Sequence, residues 1–164
     1  PENYSSRALL SFGMGMIGCE EAIADLKLAH RMAGNFDSYG HASVIYGRCG
    51  YTEEAAKYAK NALNLQPIDT NWWSTSRLAF RLYENNQQEE MYLLINDIVE
   101  AVDFPASLLA LIAYDKLISG EDKLAKDYLL RAKKLGYSKQ ALGQAIYVKA
   151  LRDAAINSLD ELGS

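Results

Sequence analysis

A chain of 164 residues, 49% apolar and 23% charged, is long enough and balanced enough to close one folded core. Its formal charge of −4 excludes a broad phosphate-binding surface, which needs clustered lysine and arginine, so direct nucleic-acid binding is not expected. No apolar run reaches the roughly 20 residues of a membrane helix, no basic segment followed by an apolar core opens the chain, and two cysteines make no disulfide framework. A cytoplasmic protein away from membranes is therefore expected. The chain opens on Pro1 rather than Met, which fits an excised domain or a processed product.

The first amphipathic segment covers 4–17. It leads through Gly18, a turn residue, and the acids Glu20 and Glu21 to a second helix carrying Ala22, Leu26 and Ala29. The next segment, 36–49, leads to Gly50 and a helix in which Thr52 is read as the cap. Glu53 and Glu54 suit the positive end of that helix, Ala55, Ala59 and Ala62 share one face, and Pro67 stops it. Segment 72–85 leads through Asn86 and Gln87 to Met91, Ile95 and Ile98, and segment 106–119 leads through Gly120 to Ala125, Leu129 and Ala132. The anchors Ala22, Ala55, Met91 and Ala125 stand 33, 36 and 34 residues apart. This recurrence predicts helical hairpins over about 4–34, 36–67, 72–103 and 106–137, none able to bury its apolar face alone. Ser138 then caps an amphipathic stretch with Ala141, Ala145, Val148, Leu151, Ala155 and Leu159, predicting a terminal capping helix over 138–164.

These units resemble the tetratricopeptide repeat, in which two antiparallel helices form a module of about 34 residues. The second hairpin carries the resemblance best, through Tyr46, Gly50, Ala55, Ala62 and Pro67, and the fourth through Gly120, Ala125, Leu129 and Ala132. The first lacks the closing proline. The third departs from the pattern, with Met91 in the small slot and Ile98 in the alanine slot. The implied fold is an all-α superhelix, a solenoid of about four hairpins plus the cap, and the implied function is protein–protein interaction. A second resemblance, carried by 67–73 and by 108–114 before Gly120, is to C-terminal repeat regions of bacterial signalling proteins. Those regions follow a winged-helix DNA-binding domain or a nucleotide cyclase. On that resemblance the chain is the regulatory part of a larger protein; a free-standing adaptor such as a secretion chaperone is the alternative.

The repeat register also implies which first-helix positions face a partner: Arg7, Ser11 and Met14; His41, Val44 and Arg48; Trp73, Arg77, Phe80 and Tyr83; Tyr114 and Leu117. Arg7, Arg48 and Arg77 suit a carboxylate and the aromatics suit apolar side chains, so an acidic segment with apolar neighbours is the expected partner. Aromatic residues at helical spacing equally suit a core, and of the adjacent Trp72 and Trp73 one is expected to be packed. Of the five-residue clamp by which chaperone-binding members hold a terminal carboxylate, the corresponding Arg7, Ser11, His41, Trp73 and Arg77 keep only Arg77, with Arg7 a like-charged replacement, so an intact clamp for chaperone tails is not expected. The irregular third hairpin offers either a homodimer contact or a sensor pocket.

Catalysis is not expected. His30 and His41 have no acid at a useful spacing, and Cys19 and Cys49 with the two histidines lack zinc-ligand spacing. Gly13, Gly15 and Gly18 lack the strand and Lys-Ser/Thr of a phosphate loop, so neither metal nor cofactor is expected. The two cysteines fall near turns of adjacent hairpins, within reach of a disulfide, but idle thiols are the expectation.

Overall fold

The computed structural model describes residues 4–32, 35–65, 72–101 and 104–163, and every regular element among them is an α-helix. In chain order these are α1 Tyr4–Gly13, α2 Cys19–Met32, α3 Phe36–Arg48, α4 Thr52–Leu63, α5 Trp72–Glu84, α6 Gln88–Ile95, α7 Ala106–Ile118, α8 Asp122–Lys134, α9 Lys139–Ala145 and α10 Lys149–Gly163. They pack in neighbouring pairs and group into two compact units, Pro1–Gln88 and Glu89–Ser164. The division falls inside the third predicted hairpin.

Burial follows the sequence period. The anchors Ala22, Ala55, Met91 and Ala125 all have 0% exposure. One turn on, Leu26, Ala59, Ile95 and Leu129 are buried as well. Each second helix thus hides the same stripe, as apolar residues at i, i+4 and i+7 require. The chain conformation repeats too: Gly50 (φ 85°), Asn86 (φ 57°) and Gly120 (φ 78°) each hold the left-handed conformation shortly after a first helix ends.

In the first unit α1 pairs with α2 and α3 with α4, while α1 touches α3 and α3 touches α5. Successive first helices are neighbours there. Joining α1 to α4 is a cluster of Ala8, Ala22, Leu26, Ala42, Ile45, Tyr46 and Ala55, with Phe12, Ile17 and Cys49 against it. The predicted helix over 4–17 stops at Gly13, because Gly13, Gly15 (φ 71°) and Gly18 each cost a helix about 1 kcal/mol relative to alanine. Asn35 starts α3 through a reciprocal cap with Ser38. The cap expected at Thr52 is corrected: Tyr51 holds the N-cap position without a side-chain bond, and Thr52 donates its hydroxyl to Asn85 at 3.1 Å. Pro67 lies outside the described residues.

Two further features brace this unit. A file of rings runs Tyr51, Tyr46, Tyr58, His30, with centroid separations of 6.0, 5.1 and 5.0 Å, joining α2, α3 and α4. Burial, followed by its neighbour Tyr58, pushes the Tyr46 phenol up to about 12. The expectation of idle thiols is overturned, because Cys19 and Cys49 form a disulfide with Cα atoms 5.8 Å apart. Cys19 opens α2 and Cys49 follows α3, so the bond pins the first hairpin to the second.

In the second unit α7 is buried along Leu108–Asp115 and touches α8, α9 and α10, which explains why its sequence is apolar nearly all round. Helix α6 ends at Ile95 before Asn96 and Asp97, both poor helix formers. Arg131 bridges the following turn, donating to the Val99 carbonyl at 2.8 Å and to Glu100 at 2.9 Å. The single capping helix expected over 138–164 is instead a pair, α9 and α10. Ser138 does cap α9, accepting from the Ala141 amide at 3.1 Å. Ile146, in extended conformation (φ −93°, ψ 117°), then opens a break among the β-branched and aromatic residues Ile146, Tyr147 and Val148. Among the described residues no helix is long and apolar enough to cross a membrane.

Candidate functional site

The neighbouring helices α1, α3 and α5 bring three polar side chains of the first unit together. Ser5, on the first turn of α1, is buried, and its Oγ lies 3.1 Å from His41 Nδ1 on α3. Arg77, on α5, acts electrostatically on the same imidazole. Burial, reinforced by that guanidinium, holds His41 below the ordinary histidine value, and Asp37, one turn earlier on α3, opposes the shift. An imidazole of lowered basicity, a hydroxyl and the influence of a cation therefore converge where α1 and α5 adjoin α3. No hydrogen bond joins His41 to Asp37 among the described residues, so Asp37 acts on the imidazole through its charge.

The other expected contact residues fall into two sets. Arg7 and Met14 are exposed and Ser11 is half-buried. Arg48 ends α3 as an exposed side chain, and its guanidinium passes 3.9 Å from where a Cβ on Gly13 would sit, so the bare end of α1 leaves it room. Val44, Phe80 and Tyr83 are buried. In the second unit Tyr114 is buried, its phenol raised by burial and then by Asp115, and Leu117 is half-buried. The side chain of Trp73 lies outside the described residues.

Sequence reasoning passed over Ser5, which no motif marks. It also passed over Arg81 and Glu84 on α5, whose side chains are each 1% exposed and whose Nε and Oε2 meet at 2.7 Å. That contact is an attraction of opposite charges off the hydrogen-bond line. Its i, i+3 spacing was a legible signal for a pair, though not for its burial. Among the described residues no group of three or more His, Cys, Asp and Glu is placed to hold a metal ion.

Fold and cluster together define an all-helical protein of paired, neighbouring helices, compatible with a helical repeat. No family model, no curated protein and no solved structure matches the chain.

Proposed function

We propose that this chain is a tetratricopeptide-type solenoid that holds a partner protein segment along α1, α3 and α5 and carries out no reaction. The Ser5–His41–Arg77 cluster supports this reading most directly: three consecutive first helices contribute to one polar, cationic locus. Arg7 and Arg48 add exposed guanidinium groups on α1 and α3. A planar guanidinium suits a carboxylate bidentately, so the partner is a segment pairing an acid with apolar side chains. Burial of Ser5 supports binding rather than nucleophilic chemistry.

The larger context proposed is the regulatory part of a bacterial signalling or transcription-regulating protein, resting on the sequence resemblance alone. Cytoplasmic placement was expected, yet a bond joining both cysteines of the chain favours a compartment where disulfides persist.

The test is a titration of isotope-labelled chain with synthetic peptides pairing Glu or Asp with Leu or Phe. Amide shifts are expected on 4–13, 36–48 and 72–84, and the Arg7→Glu, Arg48→Glu double variant should bind about tenfold more weakly or worse at unchanged helicity. Shifts confined elsewhere, or affinity indifferent to charge reversal, would remove the reading. The complete gene tests the context: with no output domain encoded beside this region, the regulatory assignment fails.

A further inference from the structure

The second unit carries a feature that the proposed function does not use. A shallow crease of about 240 Å³ lies between α8 and α10, lined by Lys126, Leu129, Leu130, Lys133, Leu162 and Gly163. Leu129 is buried, whereas Leu130 stands 54% exposed. Residues 123, 126, 130 and 133 share one face of α8 by their three- and four-residue spacing, and all four are exposed. That face is a leucine framed by three lysines, none of them in an ion pair among the described residues. Lys133 reaches α10: a Cβ on Gly163 would meet its Nζ at 2.7 Å, so the ammonium lies near the C-terminal end of α10, where helix carbonyls favour a cation. Of the nearby carboxylates, Asp160 is engaged by Lys139 at 2.6 Å, and Asp127 lies beside Lys126 on α8.

We propose that this crease docks an acidic segment of a partner protein, with one apolar side chain entering beside Leu130 and Leu162 while carboxylates pair with Lys126 and Lys133. Charge complementarity selects the occupant. An apolar depression with cations at its rim is matched by an apolar anchor with anions on either side. The volume suits one large side chain rather than a whole small-molecule ligand. Extended polyanions are poor candidates, because they need a longer run of cations than three lysines on one helix face. The site lies on a second helix and does not depend on the α1–α3–α5 reading.

The experiment titrates isotope-labelled chain with a short peptide in which a single Leu is flanked by Glu residues, beside an all-Glu control. Amide shifts are expected on 122–134 and 149–163. Affinity should fall about tenfold in Lys126→Glu, Lys133→Glu and by a similar factor for the all-Glu peptide. Both lysines are exposed, and an unchanged melting temperature confirms that the variant folds; Lys126→Ala serves if it does not. Shifts on 4–13, 36–48 and 72–84 alone would support the first site and overturn this one. Unsaturable binding, equal binding of both peptides, or stronger uptake by phosphatidylserine vesicles that survives the lysine reversal would also overturn it.

Discussion

Replacing both cysteines by serine removes a cross-link between positions 30 residues apart. The chain-entropy relation for a loop of that size gives about 3.6 kcal/mol at 25 °C. A serine in place of Cys49 would also lose some packing against the cluster around Tyr46, which adds to the cost. The hydrophobic cluster between the same helices remains, so the variant should fold with less in reserve. Against a typical stability of about 5–15 kcal/mol the loss is large. Urea unfolding followed by circular dichroism reads it as a midpoint lower by about 1.8 M when m is near 2 kcal/mol/M. Dithiothreitol should lower the wild-type midpoint similarly and leave the double variant unmoved, while iodoacetamide should label the wild type only after reduction. A loss under about 1 kcal/mol, or an equal effect of reductant on the serine variant, would refute the assignment of a stabilising bond.

Three other outcomes follow from burial. Arg81→Met should cost about 3–5 kcal/mol by removing the cation 2.7 Å from the buried Glu84 carboxylate, and adding Glu84→Leu should recover part of that in thermal melts. Met91→Ala, which restores the small residue of the repeat pattern, should nevertheless destabilise by about 2–5 kcal/mol, because the local packing is built around the larger side chain; urea midpoints decide it. His30 and His41 are both held below the ordinary value of 6.5, chiefly by burial, so the fold binds fewer protons than the unfolded chain. Their contribution is therefore complete above pH 6.5 and is lost as pH falls through the folded values, at a slope of at most about 1.4 kcal/mol per pH unit for each histidine; the His30→Gln, His41→Gln pair should flatten that slope in urea titrations at a series of pH values.

The helical period was legible because it is written in side-chain size. Ala22, Ala55, Met91 and Ala125 could be aligned without coordinates, and each is fully buried. Starts of α3, α5 and α7 were legible from the same register. Details set by one or two residues were not. Thr52 sits one place beyond the cap position it suits chemically, and Ile146 breaks a stretch whose amphipathic pattern runs on unbroken. A disulfide leaves no local trace: Cys19 and Cys49 meet only because two hairpins stack. The register assigned Phe80, Tyr83 and Tyr114 to a helix face but said nothing of depth, and all three are buried. Ser5 joins His41 across 36 residues, a pairing that no short motif encodes.

The seam between Gln88 and Glu89 has a practical consequence for anyone dividing the gene. Cutting by repeat count, after residue 103, would yield a fragment carrying α6 without α7, severing Tyr92 from the Asp115 carboxylate to which it donates at 2.5 Å. A stop codon after Gln88 would instead keep α1 to α5 entire, along with the disulfide, the ring file and the His41 cluster.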